Sequence, residues 1–249
     1  MAPEPKKSLG QHWLKDEAAL EAICEAASLE KSDIVLEIGP GPGDLTRQLV
    51  RRAHRVVAVE FDEDLARRLG KTLQADNLEI IHQDILKFDL TALPPGYKVV
   101  ANIPYYLTSN LLRSLSESSN PPLEITLLVQ KEVAERVAAE PGKMSLLSVS
   151  VQLYYRPELG PIVAAELFQP PPKVDSQVVI LKQRPEPLFG ELDSRLFFRV
   201  VKAGFAGRRK KLRGSLSAGL RIGREEADKL LQKAGISGDL RAQNLSLQD

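Results

Sequence analysis

The chain reads as an α/β protein: a mostly parallel sheet covered by helices on both faces, followed by a small helical domain. Three observations carry this reading. Short apolar runs alternate with helical patterns through the first two thirds of the chain, the order that builds a parallel sheet. A proline-rich link, Arg184-Pro185-Glu186-Pro187, interrupts the alternation. Beyond it, apolar residues recur at helical spacing. The expected division is therefore 1–184 and 185–249.

The elements follow in order. Ile34–Ile38 is an apolar run ending in glycines and reads as the first strand of the sheet. Residues 44–53 read as a helix with Asp44 as its N-cap. Arg55–Glu60, Leu78–His82, Tyr97–Ala101 and Leu123–Val129 read as further strands, and Asp62–Leu73 and Thr108–Leu115 as helices between them. Residues 161–181 read as two more strands around Gln169-Pro170-Pro171-Pro172. In the last part, Leu196, Phe197, Val200, Val201 and Phe205, then Leu216 and Leu220, then Ala227, Leu230 and Leu231, mark the apolar faces of three helices.

With 249 residues the chain can hold one large and one small domain. No apolar stretch is long enough to span a bilayer, and the polar, basic N-terminus lacks the core of a secretory signal. Cys24 is the only cysteine, so neither a disulfide framework nor a cysteine metal site is expected, and a reducing cytoplasm fits. His12, His54 and His82 fall in unrelated places, and no metal is expected. The net charge of +1 hides a division. From Lys182 onward 15 Lys and Arg face 8 Asp and Glu, while the preceding residues hold 19 against 25. A basic end on an acidic body points to a polyanionic partner.

Glu37-Ile38-Gly39-Pro40-Gly41-Pro42-Gly43-Asp44 joins the first strand to the first helix of the sheet. Glycines there allow close backbone approach to a ligand. Glu60 ends the next strand, 21 residues after Gly39, where an acid commonly binds ribose hydroxyls. The spacing suits any adenosine cofactor, NAD included. However, the loop is G-x-G-x-G rather than G-x-G-x-x-G, and Glu37 would repel a pyrophosphate. A carboxylate at that place suits S-adenosylmethionine, whose amino group and sulfonium are positive. Asp84 is an acceptor candidate for the exocyclic amine of the cofactor's adenine.

Asn102-Ile103-Pro104-Tyr105 closes another strand. An amide, a proline and an aromatic suit a nucleotide base: the amide oxygen accepts, the residue before proline is held extended, and the ring offers a stacking face. An exocyclic base nitrogen is a poor nucleophile because its lone pair is delocalised. Acceptors at the Asn102 side chain and at the Ile103 or Pro104 carbonyl would localise that pair, so no general base is required. Pro104, Tyr105 and Phe168 complete the expected catalytic group, with Tyr105 and Phe168 sandwiching an extruded base.

These motifs resemble those of the KsgA-type ribosomal RNA adenine dimethyltransferases, relatives of the Erm methyltransferases. The resemblance covers residues 8–14, Glu37–Gly43, Asp84, Asn102–Tyr105, Phe168–Ser176, Phe205–Lys211 and Arg241–Ser246, the last two favouring the KsgA side. It implies a Rossmann-like S-adenosylmethionine-dependent methyltransferase domain over 1–184 and a helical RNA-binding domain over 185–249. It implies cofactor contacts at His12, Leu14, Gly39, Glu60, Asp84 and Asn102, to which the loop reading adds Glu37 and Gly41. Trp13 stands where the family more often has phenylalanine. The implied substrate is two adjacent adenosines near the 3′ end of small-subunit ribosomal RNA, each dimethylated at N6 within an assembling 30S subunit; an Erm-like large-subunit specificity is the alternative. Arg199, Lys202, Arg208, Arg209, Lys210, Lys211 and Arg213, interleaved with aromatics, are the expected phosphate contacts. A monomer is expected.

Overall fold

The structure, a computed structural model, describes residues 4–6, 9–186, 188–189, 192–207 and 209–249. Ser8 of the N-terminal motif, Pro187 of the link and the expected phosphate contact Arg208 lie outside the described residues. The chain forms two compact units, Met1–Glu135 with Tyr155–Gln183, and Arg136–Tyr154 with Arg184–Asp249. The second unit thus takes in a segment that the sequence reading assigned to 1–184. The reason is hydrogen bonding at long range: Gly142 and Met144 N–H both donate to the Gln243 carbonyl (2.7 and 3.2 Å), and Gln243 Nε2 donates back to the Gly142 carbonyl (3.0 Å).

The first unit begins with β1 (Trp13–Leu14) and α1 (Glu17–Ala26). Then come β2 (Ile34–Ile38), α2 (Asp44–Arg52), β3 (Arg55–Glu60), α3 (Glu63–Thr72), β4 (Leu78–His82), β5 (Lys98–Asn102), α4 (Thr108–Ser116) and β6 (Glu124–Gln130). After α5 (Lys131–Val137) and α6 (Leu146–Gln152) follow β7 (Tyr155–Val163), β8 (Phe168–Gln169) and β9 (Ser176–Gln183). Seven strands make one sheet in the order β4-β3-β2-β5-β6-β9-β7. Pairing is parallel from β4 to β6, and β9 runs antiparallel to both β6 and β7. β2 lies between β3 and β5, so the chain reverses its direction of winding there. Ligands of such sheets bind outside the carboxyl ends of the strands at that reversal.

The buried strands β2, β3, β5 and β6 carry near-continuous apolar runs, as a sheet covered on both faces demands. Cys24 is buried in this core, and burial pushes its thiol up to about 11. β1 and β8 form a separate two-stranded ribbon, pairing Trp13 with Gln169 and Leu14 with Phe168. The sequence reading foresaw strands at 161–181 but not this long-range pairing.

Asp44 is not an N-cap. It is the first residue of α2, and Gly43, at φ 91°, occupies the cap without a side-chain bond. Glycine is required there for space as well: a Cβ would stand 2.4 Å from Leu69 Cδ1 of α3.

The second unit holds α6 together with α7 (Ser194–Phe205), α8 (Leu212–Leu220) and α9 (Arg224–Lys233). Asp193 caps α7 through Arg195 and Leu196 N–H. Ala203, Leu212, Leu216 and Leu231 form its core. Leu196, Val200 and Leu230, expected inside, are exposed. They lie along an apolar cavity of about 500 Å³ within this unit.

Candidate active site

The carboxyl ends of β2 and β5 open into a cleft. Its lining comes from residues 10–14, Glu37, the glycine loop, Glu60 and residues 102–105. Four separate segments that the sequence reading singled out are thus brought together. The enclosed space is about 70 Å³, small beside the 300–1,000 Å³ of a usual ligand pocket.

Glu60 clamps the loop. One carboxylate oxygen accepts from Gly41 N–H (2.9 Å) and the other from Asp62 N–H (2.8 Å). Burial raises its pKa against the pull of these backbone bonds. Gly39 N–H donates to the Val59 carbonyl (2.9 Å), which ties the loop to β3 a second time. The acid that the sequence placed against ribose therefore also shapes the glycine turn.

Glu37 is 1% exposed, and its Oε2 has no hydrogen-bond partner. Burial pushes its carboxyl up to about 8, opposed by the nearby Thr46 hydroxyl and reinforced by the charge of Glu60. A buried acid with an orphaned oxygen in a ligand cleft is poised for a cationic group.

Asn102 Nδ2 donates to the His12 carbonyl (3.4 Å). Asn102 lines the cleft. Pro104 lines the cleft, and its carbonyl accepts from Leu107 N–H (3.0 Å). The Ile103 carbonyl is accordingly the better second acceptor of the two foreseen. His12 Nδ1 donates to the Pro170 carbonyl (2.7 Å) and its ring stacks on Tyr105, centroids 5.7 Å apart. Tyr105 shares a hydrogen bond with the Ser176 hydroxyl (2.8 Å).

Phe168 does not join this group. It is 4% exposed and packs in the core cluster with Leu14, Leu20 and Ile23. Pairing with Leu14 turns its side chain inward. With one face of Tyr105 on His12 and Phe168 buried, the expected sandwich is not formed. The aromatic that does stand free is Tyr106, 67% exposed. It follows Tyr105 in a 3-10 turn, and its Cδ1 lies 3.4 Å from where a Gly10 Cβ would be. Sequence reasoning missed it; the doubled tyrosine was the available signal.

Asp84 lies at the carboxyl end of β4, outside the cleft lining, and its Oδ1 accepts from Leu86 N–H (3.0 Å). Phe61 and Leu86, also missed, are exposed apolar side chains just beyond β3 and β4.

In the second unit Arg199, Lys202, Arg209 and Lys210 are exposed and, among the described residues, make no ion pair. Lys211 and Arg213 are ion-paired. Lys211 pairs with Asp239 (2.8 Å), and Arg213 with Asp228 and Asp239 (both 3.3 Å). The Lys211 bond and then the Arg213 charge hold the Asp239 carboxyl below its usual value.

The sequence profile described as "Ribosomal RNA adenine dimethylase" matches residues 3–249. The chain belongs to the ribosomal RNA adenine dimethylase family. Among its relatives is the "Ribosomal RNA small subunit methyltransferase A" of Dehalococcoides mccartyi, 40% identical over 98% of this chain and 85% of that protein. The protein of that name from Shouchella clausii is 41% identical over 98% and 86%. Two solved structures of the fold are similar along nearly their whole length. The 23S rRNA methyltransferase ErmE shares 31% identity at a TM-score of 0.76, covering 95% of each chain. A dimethyladenosine transferase from Plasmodium falciparum shares 26% at 0.79, covering 96% of this chain and 94% of that one. This membership makes the sheet a Rossmann-like, S-adenosylmethionine-dependent methyltransferase sheet. Among the described residues no helix is long and apolar enough to cross a membrane.

Proposed function

We propose that this protein transfers methyl groups from S-adenosylmethionine to N6 of two adjacent adenosines near the 3′ end of small-subunit ribosomal RNA. It acts as a cytoplasmic monomer on the assembling 30S subunit and dimethylates each base. The relatives at about 40% identity, named for the small subunit, favour this RNA over the large-subunit target in the name of ErmE.

The residues present fit the cofactor. The orphaned Glu37 oxygen suits its ammonium, and the small cavity suits its narrow end. Phe61, Leu86, Asp84 and the spare lone pairs of Glu60 offer the rim for its adenosine. His12 and Leu14 close the cleft from the other side. When bound, the cofactor supplies an electrophilic methyl group.

The observation that carries the reading is the orientation of Asn102. Its Nδ2 is held by His12, so Oδ1 accepts one N–H of the adenine amino group. The Ile103 carbonyl accepts the other. With both hydrogens engaged in the first transfer, and the one remaining hydrogen in the second, the nitrogen lone pair is localised and directed into the cleft. Orientation of this kind supplies roughly 7–11 kcal/mol of a barrier. The surplus proton leaves to water after transfer, so no side chain need act as base. Tyr106 replaces Phe168 as the stacking face for the extruded base, and Arg199, Lys202, Arg209 and Lys210 bind phosphates.

Purified protein, labelled cofactor and separate small and large subunits, each lacking the modification, test the reading. Dimethyladenosine is expected only in small-subunit RNA, at two neighbouring positions. Labelling of the large subunit alone would replace this reading by the Erm-like one.

A further inference from the structure

The cleft holds a buried donor as well as a buried acceptor without a partner. Trp13 is 7% exposed, lines the cleft, and its Nε1 has no hydrogen-bond partner. Pairing of β1 with β8 fixes its backbone. Its indole edge lies over Gly41, where a Cβ would stand 3.6 Å from Nε1 and 3.7 Å from Cδ1. The glycine, at φ 57°, keeps open the space in front of the N–H.

An indole nitrogen can only donate. A buried donor left unmatched is unfavourable, and a ligand that brings an acceptor removes that cost. The other orphan in the lining is Glu37 Oε2, an acceptor. The two do not satisfy each other, and a ligand carrying a cation for Glu37 and an acceptor for Trp13 would satisfy both. An amino-acid zwitterion carries both on one carbon. The amino end of α2 joins the same lining through Asp44 and Leu45, and helix amino ends favour anions. Asp44 opposes an anion there when ionised; burial raises its carboxyl above the ordinary value, and the charges of Arg47 and Lys15 pull the other way.

We propose that Trp13 Nε1 donates a hydrogen bond to the carboxylate at the amino-acid end of the cofactor, making Trp13 a cofactor-binding residue in its own right. This rests on the reading of the cleft as an S-adenosylmethionine site. A charge-assisted bond of this type is among the stronger ones available.

Trp13 is the only tryptophan, so emission reports on it alone. Titration of the wild-type protein with S-adenosylhomocysteine is expected to change that emission. Titration with 5′-methylthioadenosine, which lacks the amino-acid end, is expected to bind and leave emission nearly unchanged. In calorimetry, Trp13→Phe is expected to weaken S-adenosylhomocysteine about tenfold and methylthioadenosine less than twofold. Equal losses for both nucleosides, no loss for either, or unchanged wild-type emission on binding S-adenosylhomocysteine would overturn the inference while leaving the cofactor reading intact. A wild-type protein that binds neither nucleoside overturns both.

Discussion

Asn102 Nδ2 donates to the main-chain oxygen of His12, a residue 90 positions earlier in the chain. This contact holds the amide nitrogen and ties the N-terminal motif to the turn at residues 102–105. Asn102→Ala removes the substrate acceptor and this tie together. Transfer is expected to fall on the order of 10²–10³-fold, the usual effect of losing one preorganised polar partner of the reacting group. Cofactor binding is expected to weaken but persist. Single-turnover transfer to small-subunit RNA and calorimetry measure the two separately, and wild-type-like turnover would refute the role.

Glu37 gives a dependence on pH. Its carboxyl is raised to about 8 by burial, with Thr46 opposing and Glu60 adding. Between its ordinary value of 4.5 and about 8 the folded protein holds a proton that the unfolded chain has released. The stability of the free protein therefore falls as pH rises through that window. Glu60, raised in the same direction, acts with it. A cationic ligand favours the ionised acid, so cofactor affinity is expected to rise up to about pH 8 and then level. Below pH 8 binding releases a proton, measurable by calorimetry in buffers of different ionisation enthalpy. Glu37→Gln is expected to flatten the profile.

Phe168 and Tyr106 part company under substitution. Phe168→Ala opens a hole in the core and is expected to cost about 3–5 kcal/mol of stability. Tyr106→Ala touches an exposed ring and is expected to change stability by less than about 0.5 kcal/mol. The same substitution is expected to lower kcat/KM for RNA roughly 5- to 100-fold, the worth of one stacked base; Tyr106→Phe retains most of it. Denaturant melts and RNA-dependent kinetics distinguish the pair. Loss of stability at Tyr106 without loss of RNA recognition would go against the stacking role.

The basic residues of the second unit separate in the same way. Neutralising Arg199, Lys202, Arg209 and Lys210 together is expected to reduce the slope of log affinity against log salt by about 3, near 0.7–0.9 for each phosphate that is no longer neutralised. Lys211→Ala and Arg213→Ala break pairs with Asp228 and Asp239. They are expected to change the slope less and to perturb the unit's melting more. Filter binding at several salt concentrations reads the slope.

What the sequence made legible was local. Strands β2 to β6 lie within one residue of their expected bounds because each is a short apolar run closed by glycine, acid or amide. The glycine loop, Glu37, Glu60 and Asn102 were readable because their chemistry is unusual for those places. The misses required contacts at long range. Phe168 is buried because Leu14 pairs with it from the other end of the unit. Lys211 and Arg213 find Asp239, 28 and 26 residues on, which no charge count reveals. α6 was missed because Leu-Leu-Ser-Val-Ser-Val-Gln, rich in valine and serine, has a strand's composition. Only the capping box between Ser145 and Ser148 marked its start.

β7 is the outer strand beyond β9. It carries Pro157, Gly160 and Pro161, and its register shifts between Leu159 and Ile162. Two prolines remove two backbone donors, and the irregular register bends the row that remains. A second chain seeking to lengthen the sheet from this side finds no continuous template. The sheet is thereby guarded against fibril-like growth in the interval when newly made protein is still crowded among its own copies.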